Sequence, residues 1–65
     1  MNKEVMIRYC VGEKGSRKAV AEVWTSSDEY KALIEEMFSA HKLLTLAQVF
    51  DECGCFIEQY ERFVA

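Results

Sequence analysis

The residues best suited to chemistry in this 65-residue chain are its three cysteines and its single histidine. Two of the cysteines flank a glycine in the triplet Cys53-Gly54-Cys55, and Cys10 and His41 lie far from it in the chain. Thiolate and imidazole groups bind zinc, and a thiol beside an imidazole is also a nucleophile pair. The first question is therefore whether the four side chains lie together.

Their spacing argues against a metal or catalytic site. Residues 45–64 carry apolar side chains at helical intervals, and in a continuous helix Cys53 faces the core while Cys55 points outward, about 160° away. One ion then binds only one of the thiolates, unless Gly54 breaks the helix. His41 is interpreted as a residue that complements the negative end of the preceding helix. We therefore predict no metal, no cofactor and no enzymatic activity.

A β-hairpin is predicted over residues 4–25. Apolar and polar side chains alternate in the two segments that flank the loop GEKGSRK, which is typical of half-buried strands. Pairing Val11 with Ala19 places Arg8 opposite Glu22, and opposite charges across strands are stabilising. The same register sets large side chains against small ones, Tyr9 against Ala21 and Ile7 against Val23.

Two helices are predicted to follow. Ser26 and Glu29 have the offset of a capping box, and apolar residues then recur every three or four positions, which predicts a helix over residues 27–41. A second helix is predicted over residues 45–64. The expected fold is α+β, a two-layer ββαα arrangement in which residues 1–65 form one domain and two chains form a dimer.

The second helix has a competing interpretation as two strands that turn at Gly54. Strands need a period of two, but Phe56 and Ile57 are consecutive apolar residues, and Glu61 and Arg62 are consecutive polar ones. The helix is preferred, because an interior glycine costs only about 1 kcal/mol.

The composition points to contact surfaces. Hydrophobic residues make up 51% of the chain, more than a domain of this size buries easily, so we expect a homodimer and a docking surface for an unidentified protein. The predicted partner-binding residues lie on the outer face of the hairpin: Met6, Arg8, Val20, Glu22 and Trp24. The predicted dimer contact is a ridge on the second helix: Phe56, Tyr60 and Phe63.

The charge distribution makes nucleic-acid binding the weaker alternative. The net charge is −3, with five basic and two acidic groups in residues 1–18 but three basic and nine acidic groups in residues 19–65. An acidic chain is repelled by phosphate unless its cations are focused in one place. The candidate nucleic-acid contacts are the cations of the hairpin loop: Lys14, Arg17 and Lys18.

The chain is expected to be cytoplasmic. The opening MNKEVMIRYC lacks the apolar segment of a signal peptide, and no run approaches the roughly 18 apolar residues of a membrane span. Three cysteines are an odd number, so they are expected to be reduced thiols and not a disulfide framework.

Residues 20–53 resemble ribbon-helix-helix domains. The segment contains the strand AVAEVW, a capped helix, a short connection and then TLAQVFDEC, which matches the Ser/Thr, apolar and amide pattern that begins the second helix of that family. In the family, two chains pair their strands into a ribbon that enters the DNA major groove. The resemblance implies base-reading side chains on one strand face, Val20, Glu22 and Trp24, or on the other, Ala19, Ala21 and Val23.

Two functions are therefore expected. The first is a non-enzymatic protein-protein interaction domain, an accessory or inhibitor protein such as a phage-encoded one, that occludes a partner protein. The alternative is a small dimeric nucleic-acid-binding regulator of the ribbon-helix-helix type. Salt separates them, because phosphate contacts weaken steeply as salt rises, whereas burial of apolar side chains does not.

Overall fold

The computed structural model describes residues 3–62 and shows one four-stranded antiparallel sheet with a single helix against one face. The elements follow the order ββαββ: β1 (Glu4–Val11), β2 (Lys18–Ser26), α1 (Tyr30–Ala40), β3 (Leu44–Phe50) and β4 (Phe56–Glu61). The strands lie in the order β2-β1-β3-β4, so β1 and β3 are central and β2 and β4 are the edges.

Strands β1 and β2 form the hairpin that the alternation predicts. Arg8 lies opposite Glu22, as expected from their charges. The predicted pairing of Val11 with Ala19 is wrong, because a β-bulge leaves Val20 without an opposite residue on β1. The bulge adds one residue to β2 and shifts the register at the loop end of the hairpin.

The prediction of a second helix over residues 45–64 is wrong. The described part of this segment forms β3, a turn and β4, and β3 pairs with both β1 and β4. The fold is therefore ββαββ with one helix, not ββαα with two. Thr45, the first residue of the predicted second helix, donates its hydroxyl to the carbonyl oxygen of Gly12 at 2.7 Å.

A bulge also explains why the alternation of strand β4 is hidden in the sequence. Phe56 lies opposite Phe50 and Glu58 lies opposite Val49, so Ile57 is the extra residue. A bulged residue interrupts the period of two. Two consecutive apolar residues therefore fit within one strand, which the helical interpretation did not allow for.

The single helix lies within the predicted range 27–41 but is shorter, spanning Tyr30–Ala40. The predicted capping box is not formed, because Ser26 ends β2 and its hydroxyl accepts a hydrogen bond from the Asp28 N–H at 3.1 Å. Across residues 3–62, no helix has the length and apolar character needed to cross a membrane.

The core lies between the sheet and α1. Ile7 and Tyr9 of β1 and Val49 of β3 are fully buried, and Tyr30 and Ile34 of α1 pack against the same cluster. Since side chains alternate along a strand, the even-numbered residues of β1 point to the opposite side of the sheet. We call this side, away from α1, the open face.

Candidate binding face

Four apolar side chains form a row across the open face, one on each strand. Met6 on β1 lies opposite Trp24 on β2 and Phe50 on β3, and Phe50 lies opposite Phe56 on β4. Trp24 and Phe56 are 56% and 54% exposed, and the rings of Phe50 and Phe56 meet edge to face with centroids 5.9 Å apart. We call these four residues the apolar row.

A second row on the open face is polar. It crosses the same four strands and consists of Glu22, Arg8, Gln48 and Gln59. Arg8 donates from Nε to Glu22 Oε2 at 2.9 Å, and its guanidinium carbon lies 5.1 Å from the centre of the Phe50 ring. An exposed ion pair of this kind contributes at most about 1 kcal/mol. Its main consequence is that the guanidinium group of Arg8 already has an anionic partner, Glu22.

The remainder of the open face is covered by the chain itself. Cys10 and Leu46 lie opposite each other in the next row and are buried, although they point away from α1. Arg17 donates from Nη2 to Glu61 at 2.8 Å, and Glu61 lies opposite Leu46 on β4. Arg17 therefore extends over this part of the sheet. The open area is the half that carries the apolar and polar rows.

The structure brings four of the five predicted partner-binding residues onto this open area, Met6, Arg8, Glu22 and Trp24. Val20 is separated from them, because at the bulge it lines a groove of about 420 Å³ on the helix side of the sheet. A role for these residues in partner binding stays a prediction.

The predicted dimer contact is divided between the two faces of the sheet. Phe56 belongs to the apolar row, whereas Tyr60 lies opposite Ala47 and packs against the core. Phe63 lies outside the described residues. The prediction assumed that these residues form a ridge on a second helix. That assumption is wrong, because Phe56 and Tyr60 belong to strand β4.

The three cations proposed for nucleic-acid contact lie at one end of the hairpin. Lys14 and Arg17 lie between β1 and β2, and Lys18 begins β2. Arg17 is neutralised by its ion pair with Glu61, so the loop presents two lysines and not three free cations. Nucleic-acid binding by these residues stays a prediction.

The triplet Cys53-Gly54-Cys55 lies in the turn between β3 and β4 and not in a helix. Asp51 Oδ1 accepts hydrogen bonds from the N–H groups of Cys53 at 2.9 Å and Cys55 at 2.8 Å. Gly54 has a φ of +87°, a conformation that favours glycine. Both thiols are exposed and Cys10 is buried. The expected burial of Cys53 is therefore wrong, because its orientation was deduced from a helix.

The cysteines and the histidine are not grouped as ligands. Within the range 3–62, no three His, Cys, Asp or Glu side chains lie close enough to hold a metal ion together. His41 follows the last residue of α1, and its backbone N–H bonds to the Met37 carbonyl oxygen at 2.9 Å. His41 thus lies at the end of the helix, and its role in complementing the negative end stays a prediction.

We expect a thiol reagent to modify Cys53 and Cys55 together and Cys10 at least about 100-fold more slowly, because Cys10 reacts only when a central strand opens. Stopped-flow labelling of the native protein measures the two phases. Cys53→Ser and Cys55→Ser should each remove one equivalent from the fast phase. A slow phase that disappears in Cys53→Ser would contradict the turn.

A phenol and a carboxylate join α1 to β4 on the helix side of the sheet. The Tyr30 hydroxyl donates to the Glu58 carboxylate. This hydrogen bond, followed by burial, raises the pKa of Tyr30 to about 12, and the same bond lowers the pKa of Glu58. Burial, followed by the hydrogen bond to Glu58, raises the pKa of Tyr60. The phenols stay protonated at neutral pH, so the cluster is suited to structural support.

Acid is expected to weaken this connection. The folded pKa of Glu58 lies below its ordinary value of 4.5, so its contribution to stability is complete above that pH and is lost as the pH falls through the folded value. The contribution of Tyr30 is complete below its ordinary pKa of 10.0 and is lost as the pH rises towards about 12. The free energy of unfolding, measured in urea at neutral and acidic pH, should fall less on acidification in Tyr30→Phe than in wild type. An equal fall in both proteins would contradict the hydrogen bond between Tyr30 and Glu58.

Three of the eight side chains of the open area are not among the contact residues that the sequence predicts. They are Phe50, Gln48 and Gln59, which join this face only through the pairing of β3 with β1 and β4. The signal that could have found them is the turn itself. Asp51 as the first residue and Gly54 as the fourth are typical of a type I turn, and a turn there predicts two strands.

No protein-family model matches this chain, and no curated protein or solved structure matches it either. These comparisons therefore assign no function to the chain.

Proposed function

We propose that this protein is a non-enzymatic protein-binding domain and that the apolar row is the centre of its contact surface. One observation carries the proposal: four large apolar side chains from four neighbouring strands align on a sheet face that α1 does not cover. Contiguous exposed apolar surface of this kind is typical of interaction sites. Tryptophan near the centre of an interface often contributes most of the binding energy.

The side chains of the open face favour contact with a protein over binding of phosphate groups. Arg8 is paired with Glu22, and Arg17 is paired with Glu61, so neither arginine offers an unpaired charge to a nucleic-acid backbone. Gln48 and Gln59 supply hydrogen-bond donors and acceptors beside the rings. An apolar centre with polar neighbours is the usual composition of a protein interface.

A domain that offers a contact face of this kind acts by covering or bridging a surface of its partner. Occlusion of a partner protein accounts for an accessory or inhibitor role. The alternative role, a nucleic-acid-binding regulator, uses the lysines at the opposite end of the hairpin. The two roles make different demands on Trp24, which the first requires and the second does not.

The test is affinity capture with a matched pair of variants. Trp24→Ala combined with Phe56→Ser removes both exposed rings of the apolar row, whereas Leu43→Ser removes an apolar side chain that is 78% exposed outside the open face. Circular dichroism and thermal unfolding establish that both variants fold. We expect wild type and Leu43→Ser to retain the same partner protein and the double variant to retain at least about tenfold less.

Treatment of a parallel sample with nuclease separates the two roles. A partner that is retained after nuclease treatment and lost in the double variant supports the proposal. Retention that nuclease abolishes, or that Lys14→Ala with Lys18→Ala abolishes while the double ring variant keeps it, would overturn it in favour of nucleic-acid binding.

Self-association is measured separately. Light scattering over a dilution series reports whether two chains associate, and the homodimer stays a prediction. A dimer that the double ring variant dissociates would place a second copy on the apolar row, and that result would overturn the assignment of this face to a different protein.

A further inference from the structure

We infer that the segment that docks on the apolar row is basic, and that one of its lysine or arginine side chains lies against the Trp24 ring. This inference rests on the proposed function and specifies the chemistry of the partner. It is carried by three observations: the separation of charge between the two ends of the sheet, the position of carboxylates beside the apolar row, and the absence of a cation on Trp24 in the described part of the chain.

The fold sorts the charges of the chain into two ends. Residues 3–4, 27–29 and 51–55 lie together where β1 and β4 begin and β2 and β3 end, and they carry five carboxylates and one lysine, for a net charge of −4. Residues 12–18, 41–43 and 61–62 lie at the other end with five cations and two carboxylates, for a net charge of +3. The apolar row lies at the acidic end.

Two of these carboxylates border the apolar row directly. Glu4 precedes Met6 by two residues on β1, so its side chain points to the same face. Glu52 extends from the β3–β4 turn to the start of β1, where its carboxylate accepts a hydrogen bond from the Glu4 backbone N–H at 3.0 Å. The nearby cation of the open face, Arg8, is paired with Glu22. A partner that covers the apolar row therefore meets uncompensated negative charge along one side.

Among the aromatic rings of the apolar row, Trp24 is the one that is available to a cation from a partner. The Phe50 ring already has the Arg8 guanidinium 5.1 Å from its centre, and the Phe56 ring packs against Phe50. Within the residues that the structure describes, Trp24 has neither a cation nor another ring against it, although it is 56% exposed. Indole binds cations better than the other aromatic side chains, and neighbouring carboxylates strengthen the attraction.

A second copy of the chain is a poorer occupant than a basic segment. Two copies that stack by their open faces present the same carboxylate-bordered row to each other, and like charges across an interface are unfavourable. A basic segment with apolar residues matches both features of the surface, because its apolar side chains cover Met6 and Phe50 while its cation lies between Trp24 and Glu4.

The experiment uses a displayed library of random twelve-residue peptides as the probe. The library is selected on immobilised full-length protein and depleted on Trp24→Ala, so that the surviving peptides depend on the indole. Trp24 is the only tryptophan of the chain, so its fluorescence measures the affinity of synthetic peptides that lack tryptophan. We expect the selected peptides to be enriched in lysine or arginine beside apolar residues.

Two matched changes then test the charge. Replacing the cations of a selected peptide by glutamine should weaken its binding by about tenfold, since one cation-aromatic contact and its electrostatic attraction are lost. Glu4→Gln with Glu52→Gln should weaken the parent peptide by about three- to tenfold and flatten its salt dependence. Glu35→Gln with Glu36→Gln on the exposed side of α1 changes the net charge equally and should have no effect.

The other outcomes overturn the inference in distinguishable ways. Peptides that need Trp24 but are neutral or acidic leave the proposed function intact and overturn the basic partner. Failure to select any peptide that depends on Trp24 overturns both. Quenching of Trp24 by a twelve-residue oligothymidine, competed by the selected peptides, would assign the row to single-stranded nucleic acid. Displacement of a second copy by the peptides would assign it to self-association.

Discussion

Ile7→Ala is expected to lower the free energy of unfolding by about 3 kcal/mol. Ile7 is fully buried at the centre of the sheet, opposite Val23 of β2 and Val49 of β3. Alanine leaves a cavity that a strand paired on both sides closes only in part, since its backbone is held by two neighbours. A domain of this length has roughly 3 to 10 kcal/mol of total stability, so the variant loses much of it.

Urea unfolding followed by Trp24 fluorescence measures this loss. Ile7→Val is the matched control, because it removes one methylene group and should cost about 1 kcal/mol. If Ile7→Ala costs no more than Ile7→Val, the position of β1 between two neighbouring strands is contradicted.

Arg62→Ala is expected to destabilise the protein by about 2 to 3 kcal/mol, an effect that the sequence gives little reason to foresee. Arg62 donates from Nε to the Leu44 carbonyl oxygen at 3.1 Å, from Nη2 to that of His41 at 2.8 Å and from Nη1 to that of Phe38. Its guanidinium carbon also lies 4.9 Å from the centre of the Phe38 ring. One side chain thus donates to three carbonyl groups at the end of α1 and the start of β3, where helix carbonyl groups run out of partners within the helix. The His41 carbonyl oxygen also accepts from the Leu44 N–H at 3.2 Å.

The geometry of the guanidinium group is the reason for the effect, so lysine should restore only a small part of it. Lys42→Ala removes an exposed cation from the same end of the molecule and should change stability by less than about 0.5 kcal/mol. Urea unfolding compares the three variants. Equal stability of Arg62→Ala and Lys42→Ala would show that Arg62 acts through charge alone and would contradict this account.

Local patterns were sufficient for the first half of the fold. The alternation on either side of GEKGSRK predicts the β1–β2 hairpin, and the opposite charges of Arg8 and Glu22 agree with its register up to the bulge at Val20. The helical spacing after residue 27 predicts α1. Each of these features depends on residues close together in the chain, so the sequence expresses them without reference to the rest of the molecule.

Local patterns likewise identify only part of the candidate site. Met6 and Trp24 belong to neighbouring strands of one hairpin, and the hairpin register is enough to place them on one face. Phe50 and Phe56 join them only because β3 pairs with β1 across about 40 residues of chain. The sequence therefore indicates a contact patch around Trp24, whereas a row across four strands requires the complete sheet.

Only the tertiary structure decided between helix and strand for residues 44–61. This segment has apolar residues at both helical and strand spacings, because Leu46 is buried on the open face beneath Arg17, Val49 is buried against α1, and Ile57 is an extra residue in a bulge. Local preference is weak in such a segment. Without β3 and β4, the edge of β1 that faces away from β2 would have unpaired N–H and C=O groups, and apolar surface of α1 would be exposed. Two further strands satisfy both requirements, whereas a second helix would have left the hairpin edge unpaired.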